Sequence, residues 1–418
     1  MSRMYSLYSM KRILLFSLIL VFQLINLSLA QTLLDATTHP KFINPLPIPT
    51  QIDATQGGSF EMEMNQTQQW LGLVDPLGQP LMTKVWGYGL DGVGVTYPGP
   101  TFMAKRDVQV NVNWHNRLPA HFLPVDPTLH MAHPGTLHTP EEVAAWYADG
   151  NVPTVAHLHG GHTESASDGL PEAWYTQGGN ETGAYYVKQN YTYDNSQEAA
   201  TLWYHDHALG ITRLNVYAGL AGFYLLEDQI ERDLVKNNVL PKGKHDVEIV
   251  IQDRMFDDTG QLFLPSKTGD PWFGDPDEPL ELPYDPSIVA EFFGDFIVVN
   301  GQVWPYLSVE PRPYRFRLLN GSDSRFYVLR FEGDQEFLQI ATDDGLLPQA
   351  VALTELIIAP GERAEIVVDF NEVGFGNNIL LKNYGPDEPF KGKSAGQTPA
   401  DPLTTGLVMQ FKVDQKRI

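Results

Sequence analysis

Short apolar runs that alternate with turn-forming residues dominate the chain. Runs rich in Val, Ile, Phe and Tyr, such as Gln109–Trp114 and Phe296–Val299, are separated by Gly, Pro, Asn and Asp. Apolar and polar residues alternate strictly in Phe60–Met64 and Tyr314–Leu318. Because successive side chains of a strand point to opposite faces, such segments can bury one face while the other face stays polar. The pattern predicts an all-β protein built from β-sandwiches, in which the two methionines of the first segment are core residues and not metal ligands.

Helical periodicity is rare, and the segment Pro140–Asp149 is its best example. Thr139 is a candidate N-cap, and Glu141 and Glu142 lie in the first turn, where carboxylates are favourable. We therefore predict one helix here, within a loop between strands.

A charged stretch, Glu227–Lys244, separates two strand-rich halves of the chain. Its end, Pro241-Lys242-Gly243, has the proline and glycine that are typical of a linker. The order of motifs in the two halves is also similar, as two copies of one sandwich would require. We predict a first domain over residues 31–229 that includes an N-terminal extension, a linker over 230–243 and a second domain over 244–418.

The N-terminus has the features of a secretory signal peptide. Lys11 and Arg12 precede the apolar run Ile13–Leu20, and small residues precede a cleavage point after Ala30. An uncleaved membrane anchor is the alternative, but polar residues shorten the apolar stretch below the roughly 20 residues that a spanning helix needs. We predict a signal peptide over residues 1–30 and a secreted or periplasmic protein.

Composition narrows the possible partners. The chain has 418 residues, enough for two or three domains, and its net charge is -23. Such acidity argues against nucleic-acid binding, because phosphates would be repelled. No second segment is a candidate membrane span. The sequence contains no cysteine, so a secreted form must be stabilised by core burial and not by disulfides.

Two histidine pairs carry the candidate chemistry. His157 and His159 follow the apolar residues Val155-Ala156, and His205 and His207 follow Leu202-Trp203-Tyr204. Residues i and i+2 of a strand point to the same face, so each pair can present two imidazoles in one direction, and all four can converge. Neutral imidazole suits copper, zinc, iron and nickel, whereas the thiolate of a blue-copper or zinc-finger site is missing.

Alternatives exist for each of these residues. A single His-X-His pair is often only hydrogen-bonded, but two pairs favour a metal site. Asp206 must point away from its flanking histidines, so it is interpreted as a structural hydrogen-bonding residue. His162 can lie near the site or bind metal adventitiously, and it stays outside the predicted ligand set. A zinc hydrolase is disfavoured because four protein ligands leave no position for catalytic water. Histidines without paired spacing are interpreted as surface or structural residues: His115, His121, His130, His133, His138 and His245.

With these motifs, the sequence resembles the multicopper oxidases, nearest the branch of the bacterial spore-coat laccases and bilirubin oxidases. The resemblance covers about residues 55 to 414. The motifs around the histidines are His157-Leu158-His159-Gly160-Gly161, Ser167-Asp168-Gly169, Trp203-Tyr204-His205-Asp206-His207 and Arg213–Leu220. Further matching segments are Trp86-Gly87-Tyr88, Tyr97–Thr101, His121–Pro124, Val299–Gly301, Val303–Leu307 and Leu407–Phe411.

The resemblance implies two consecutive cupredoxin-like Greek-key β-sandwich domains, the first holding half of a trinuclear copper cluster and the second serving as a spacer. By motif position, His157 would bind the type 2 copper, and His159, His205 and His207 would bind the type 3 pair. Asp168 matches an acidic residue that assists proton delivery, although it can also be only the first residue of an Asp-Gly turn. The implied activity is oxidation of phenolic or similar reductants, coupled to reduction of dioxygen to water.

The sequence departs from this family in one respect. Multicopper oxidases have a third cupredoxin domain with another His-X-His pair and a His-Cys-His segment, whose cysteine binds the type 1 copper. This sequence has no cysteine and no histidine after His245. We therefore expect half of the cluster ligands, no type 1 site and no laccase turnover by this chain alone. A third cupredoxin domain from another chain would complete the site for dioxygen and small aromatic reductants. The alternative is a non-enzymatic secreted protein that binds or delivers copper.

Overall fold

The computed structural model describes residues 32–271, 282, 284–392 and 396–417. The predicted signal peptide, residues 1–30, lies outside the described residues. The prediction of an all-β protein is confirmed, since strands far outnumber helices. In the first half, the strands are β1 (Gln51–Ala54), β2 (Gly58–Val74), β3 (Pro80–Leu90), β4 (Gly99–Lys105), β5 (Val110–Asn116), β6 (Ala156–His159), β7 (Asn190–Tyr193), β8 (Ala200–Asp206) and β9 (Ala221–Glu227).

The strands of the second half begin after a short helical segment. They are β10 (Asp246–Phe256), β11 (Leu262–Phe263), β12 (Phe296–Val299), β13 (Gln302–Val303), β14 (Tyr306–Ser308), β15 (Pro313–Asn320), β16 (Tyr327–Phe331), β17 (Phe337–Thr342), β18 (Gly345–Leu353), β19 (Leu356–Ile358), β20 (Arg363–Asp369), β21 (Asn378–Asn383) and β22 (Leu407–Lys412).

Each half contributes two sheets. The first half forms one sheet in the order β1-β4-β9-β8-β6 and another in the order β3-β2-β5-β7. The second half forms a sheet in the order β13-β12-β10-β15-β20-β17-β18, to which β11 adds beside β10, and a sheet in the order β14-β22-β21-β16-β19. No strand pairing joins the sheets of one half to those of the other among the described residues. This arrangement agrees with two cupredoxin-like sandwiches, and the domain boundaries remain a prediction.

The predicted helix is confirmed as α1 (Pro140–Ala148). Thr139 caps it and accepts a hydrogen bond from the backbone N–H of Glu142, whose side chain bonds back to Thr139 in a capping box. Two further helices, which the sequence analysis did not predict, are α2 (Thr212–Ala218) and α3 (Gln229–Lys236). Single-turn 3-10 helices lie at Ser165–Ser167, Pro171–Ala173, Gln177–Gly179, Gly243–His245 and Glu332–Asp334.

The segment predicted as a linker, residues 230–243, is therefore partly helical. Asp228 caps α3 by accepting a hydrogen bond from the backbone N–H of Glu231 at 2.8 Å. Glu231 itself is buried and does not face solvent. The many charges of this stretch thus belong to a docked helix, and the short segment Pro241-Lys242 before the 3-10 turn at Gly243 has no regular structure.

Burial follows the alternating pattern only in part. Met62 and Met64 are completely buried, as predicted for core residues. On β15, Phe316 and Leu318 are buried, but so are Arg315 and Arg317 on the polar face. Alternation predicts which residues share a face, but it does not predict that a polar face will be covered by other charged groups.

Arg315 and Arg317 form an ion cluster with three carboxylates, those of Glu231, Asp246 and Glu365. Arg315 donates through Nη1 to Glu231 at 2.6 Å and through Nε to Glu365 at 2.8 Å. Arg317 donates to Glu231 at 2.7 Å, to Asp246 at 2.9 Å and to Glu365 at 3.1 Å. Because Glu231 belongs to α3 and the arginines to β15, the ion cluster fastens the helix between the halves to the second half.

The two halves also touch along the N-terminal segment and near the histidines. The backbone N–H of Leu46 donates to the carbonyl oxygen of Tyr306 at 2.7 Å, and that of Phe42 donates to Trp304 at 2.9 Å. Trp203 of β8 packs in an apolar cluster with Val250 and Leu319 of the second half. None of the helices in the described part of the chain is long and apolar enough to cross a bilayer.

Candidate metal centre

Pairing of β6 with β8 brings the two histidine pairs together. The strands are antiparallel, with His157 opposite His205 and His159 opposite Trp203. His207 lies just beyond the end of β8, and its backbone N–H donates to the carbonyl oxygen of Val155 at 2.8 Å. The four histidines, called here the histidine cluster, therefore occupy neighbouring ends of two adjacent strands.

Asp206 fixes the geometry of these strand ends. Its Oδ1 accepts from the backbone N–H of Val155 at 2.9 Å, and its Oδ2 accepts from Asn215 Nδ2 at 2.9 Å and from the backbone N–H of Ala208 at 3.2 Å. Asn215, on α2, also donates to the carbonyl oxygen of Pro153 at 3.2 Å. The prediction that Asp206 makes structural hydrogen bonds is confirmed.

Three of the four predicted imidazoles, those of His157, His159 and His205, bring ligand nitrogens together, and the ring of His207 lies outside this group beside that of His157. The centroid of the His157 ring lies 4.8 Å from that of His207 and 5.6 Å from that of His205. The His159 and His205 centroids are 5.5 Å apart. One nitrogen from each of His157, His159 and His205 lies within 4.8 Å of the others, which is close enough for shared metal binding.

Hydrogen bonds determine which ring nitrogens remain free. A carbonyl oxygen only accepts, so His157 Nδ1 donates to the Asp168 carbonyl at 2.5 Å and His205 Nδ1 donates to the Asp206 carbonyl at 2.6 Å. The Nε2 atoms of both residues then carry a lone pair. His205 Nε2 lies 3.3 Å from His159 Nδ1. His207 Nδ1 is buried and has no hydrogen-bond partner among the described residues.

The surroundings of His159, His205 and His207 favour the neutral form of their rings. Burial, followed by the charge of Arg363, lowers the pKa of His159 to about 4. Burial, followed by the effect of His157, lowers the pKa of His205 well below its ordinary value. Burial also lowers the pKa of His207. Neutral imidazole is the form that binds metal ions, so the site favours the ligating state.

Asp168 lies beside the histidine cluster. Its carboxylate Oδ1 accepts from the Thr163 hydroxyl at 2.5 Å and lies 3.8 Å from His157 Nδ1. Its side chain is 30% exposed, which places it between the cluster and solvent. The turn interpretation also agrees with the structure, because Asp168 ends a 3-10 turn directly before Gly169.

Two further histidines near the cluster, His121 and His162, lie outside the group of converging nitrogens. His121 is part-buried, bonds to Asn215 Oδ1 through Nε2 at 3.1 Å and packs against Trp86 at a centroid distance of 4.3 Å. Burial lowers its pKa to about 3. His162 is exposed and is not part of the converging group.

Sequence reasoning missed two kinds of contact residue. Trp203 stacks on His205, with centroids 4.1 Å apart, and on His159, with centroids 5.1 Å apart. Its position two residues before His205 on a strand is a signal that would have placed it on the same face. Gly361 and Arg363 reach the cluster from the second half, and their sequence context contains no such signal.

Comparisons with known proteins agree with this geometry. The family model described as "Multicopper oxidase" matches residues 149–231, which include both histidine pairs. The chain is 42% identical over 374 residues to a laccase of Bacillus stratosphericus, and the match covers 89% of this chain and 66% of that protein. It is 41% identical over 382 residues to a laccase of Bacillus subtilis, with 90% of this chain and 66% of that protein covered.

Solved structures of multicopper oxidases also match the fold of this chain. The McoA multicopper oxidase of Aquifex aeolicus matches with a TM-score of 0.64 and 25% identity, over 90% of this chain and 65% of that one. The chain thus spans slightly less than two thirds of the length of the Bacillus laccases, at 66% of each. Matches over most of the chain, both in sequence and in fold, show that it belongs to the multicopper oxidase family.

Proposed function

We propose that His157, His159, His205 and His207 bind copper and that this chain supplies these ligands to a laccase-type oxidase. The activity would be oxidation of phenolic or similar small aromatic reductants, coupled to reduction of dioxygen to water. The observation that carries the proposal is the convergence of two His-X-His pairs, with ligand nitrogens of three residues within 4.8 Å of one another.

The donor set fits copper. All four donors are imidazoles, which suit copper, and the neutral form is favoured by the lowered pKa values of His159, His205 and His207. The buried Nδ1 of His207 has no other partner among the described residues, and a metal ion would satisfy it. By motif position, His157 is proposed for the type 2 copper and the other three for the type 3 pair.

Each residue has a separate task in this proposal. Bound copper would supply one-electron redox chemistry between the reductant and dioxygen. The carbonyl oxygens of Asp168 and Asp206 orient His157 and His205, and Trp203 shields two rings from water. The partly exposed Asp168 carboxylate is proposed to pass protons between solvent and the neighbourhood of His157. Asp168→Asn keeps the turn and the carbonyl oxygen, so it should change the pH profile of oxidation more than the copper content.

Copper titration of the full chain tests the ligand assignment. The wild type and His162→Ala, which alters an exposed neighbouring histidine, should bind equal amounts of Cu(II). His157→Ala and His205→Ala should each lose copper, as measured by metal content after gel filtration and by electron paramagnetic resonance. Equal copper retention by all four proteins would refute the assignment.

Oxidase activity is proposed for the site when a third cupredoxin domain from another chain completes it. The chain would be mixed with a separately produced third domain of a Bacillus laccase, and blue absorption and phenol oxidation would be recorded. Appearance of both would support a shared site. Copper retention without either signal would instead favour a non-enzymatic protein that binds or delivers copper. We also propose a secreted or periplasmic location, which N-terminal sequencing of the exported protein would test at Gln31.

A further inference from the structure

A turn from the second half of the chain faces the histidine cluster. This turn joins β19 to β20, and its Gly361 N–H donates to the carbonyl oxygen of Asn320 at 2.8 Å. A methyl group added at Gly361 would lie 3.4 Å from Cε1 of His159 and 3.8 Å from its Nε2. Gly361 has a φ of +81°, which glycine adopts without strain. The turn therefore lies directly against the ring of His159.

Arg363, the first residue of β20, holds this turn in place. Its side chain is only 4% exposed. Nη1 donates to the Gly361 carbonyl at 3.1 Å, and Nη2 donates to the Asp343 carbonyl at 3.1 Å. Nε donates to the carbonyl oxygen of Thr201 at 3.1 Å. One planar guanidinium thus connects the turn to β8, the strand that carries His205. The connection is rigid because the N–H donors of a guanidinium have fixed directions in one plane.

The same guanidinium lies against the residue that follows His159. A methyl group added at Gly160 would come within 2.5 Å of Arg363 Nη2, so the two groups are closely packed. Trp203 also packs against the His159 ring, with centroids 5.1 Å apart and planes inclined by 28°. The side chain of His159 is therefore bounded by Trp203 from the first half and by Gly361 from the second.

We propose that Arg363 is a positioning residue of the histidine cluster, acting through Gly361 and Thr201 to hold His159 in its ligating orientation. This inference rests on the proposed copper function. It gives the second half a direct part in the site, beyond the role of spacer that the family resemblance implied. Arg363 makes no contact with copper in this scheme, and its effect comes from the shape and rigidity of the contacts around His159.

The test compares Arg363→Lys with Arg325→Lys in the full chain. Arg325 is an equally buried arginine, which bonds to Asp253 at 2.9 Å and to the Gly294 carbonyl at 2.9 Å, in a different part of the second half. Lysine keeps the positive charge in both variants but lacks the planar set of hydrogen-bond donors of arginine. Two measurements would be made: the Cu(II) affinity by isothermal titration, and the imidazole resonances of His159 in metal-free, 15N-histidine-labelled protein.

We expect Arg363→Lys to weaken Cu(II) binding about 10- to 100-fold, the usual effect of losing a group that orients a ligand. The His159 resonances should shift in the metal-free protein, and they are assigned by comparison with His159→Gln. Arg325→Lys should lower the melting temperature while leaving Cu(II) affinity and His159 resonances as in the wild type. Gly361→Ala, which retains the arginine, should also shift the His159 resonances.

Wild-type Cu(II) affinity and unshifted His159 resonances in both Arg363→Lys and Gly361→Ala would overturn the proposal. The two measurements also separate it from the copper function. If the wild type bound no Cu(II) at the histidine cluster, the proposed function would fail, while the metal-free resonances would still decide whether Arg363 positions His159. If Arg363→Lys failed to fold, Arg363→Gln, whose planar amide can still donate to the Gly361 carbonyl, would be measured in its place, and unshifted His159 resonances in that variant would overturn the proposal.

Discussion

The histidine cluster and the ion cluster are both groups of polar side chains near the junction of the two halves, but their hydrogen bonding differs. In the ion cluster, every side-chain nitrogen of Arg315 and Arg317 donates to a described acceptor. In the histidine cluster, His207 Nδ1 has no partner among the described residues, and two imidazole nitrogens face each other at 3.3 Å.

This difference distinguishes polar groups that stabilise the fold from polar groups that are available to bind a ligand. A buried group without a partner costs free energy, so proteins satisfy nearly all such groups. The ion cluster is complete as the chain folds, and its task is to hold α3 against β15. The histidine cluster brings ligand nitrogens of His157, His159 and His205 within 4.8 Å of one another, which is the arrangement expected of a site that a metal ion completes. The predictions below test this contrast.

The largest effect is expected for Arg317→Met. This change leaves the buried Glu231 and Glu365 and the part-buried Asp246 with one arginine between them, and breaking a buried ion pair costs about 3 to 5 kcal/mol. The free energy of unfolding, measured by urea denaturation, should fall by that amount. A loss below about 1 kcal/mol would show that the ion cluster does not stabilise the junction.

A smaller effect is expected for Asp206→Asn. The new amide would point N–H groups at the donors of Val155 or Asn215, and an unsatisfied buried donor costs about 1 to 3 kcal/mol. Copper binding should weaken as well, because Asp206 aligns the ends of both histidine strands. Asp53→Asn, which changes an exposed carboxylate, is the control. Wild-type stability and copper binding in Asp206→Asn would contradict the structural role assigned to Asp206.

In the metal-free protein, the two clusters should lower the free energy of unfolding in different pH ranges. The pKa of His159 falls from 6.5 to about 4 on folding, so the unfolded chain binds the proton first and stability decreases as the pH falls from about 6.5 to about 4. Burial alone would raise the pKa of Glu365, but Arg315 and Arg317 outweigh it and lower this pKa. The stability from Glu365 is therefore lost only below about 4.5, its ordinary value.

Urea denaturation at several pH values measures both ranges. His159→Gln should reduce the loss between pH 6.5 and 4 by about 1 to 2 kcal/mol, since each unit of pKa shift corresponds to about 1.4 kcal/mol and the ring is partly exposed. Glu365→Gln should leave that range unchanged and alter only the loss at lower pH. An unchanged profile in His159→Gln would mean that the ring does not become protonated on unfolding in this range.

Local pattern was sufficient to predict much of the site. Strand alternation places His157 with His159 on one face, and the structure confirms the convergence with His205. The same rule applied to Trp203 would have identified its contact with both rings. The helix α1 was predictable because its capping box is contiguous in sequence.

Contacts between distant segments were not predictable from local pattern. Arg363 lies more than 150 residues after the first histidine pair, and only the packing of the two halves brings it to Gly160. The buried arginines of β15 show the same limit, because alternation does not reveal what covers a polar face. The helix α3 was interpreted as part of a linker because it lies in a charged stretch between two strand-rich halves, whereas Glu231 is buried by its ion pairs.

The smallest effect is expected for Arg232→Met. Arg232 lies on α3, the helix that also carries Glu231, and its ion pair with Glu227 at the end of β9 is removed by this change. Its Nη1 lies 3.1 Å from Glu227 Oε1, but the two side chains are 29% and 34% exposed. Exposed pairs contribute about 0 to 1 kcal/mol, and salt screens them, so the loss should be small and should shrink further in 1 M sodium chloride. Arg317→Met, in contrast, should retain most of its effect in that salt because its pairs are buried. Equal losses in the two variants would mean that burial does not set the strength of these ion pairs. The contrast between the ion cluster and the histidine cluster would then rest on the histidines alone.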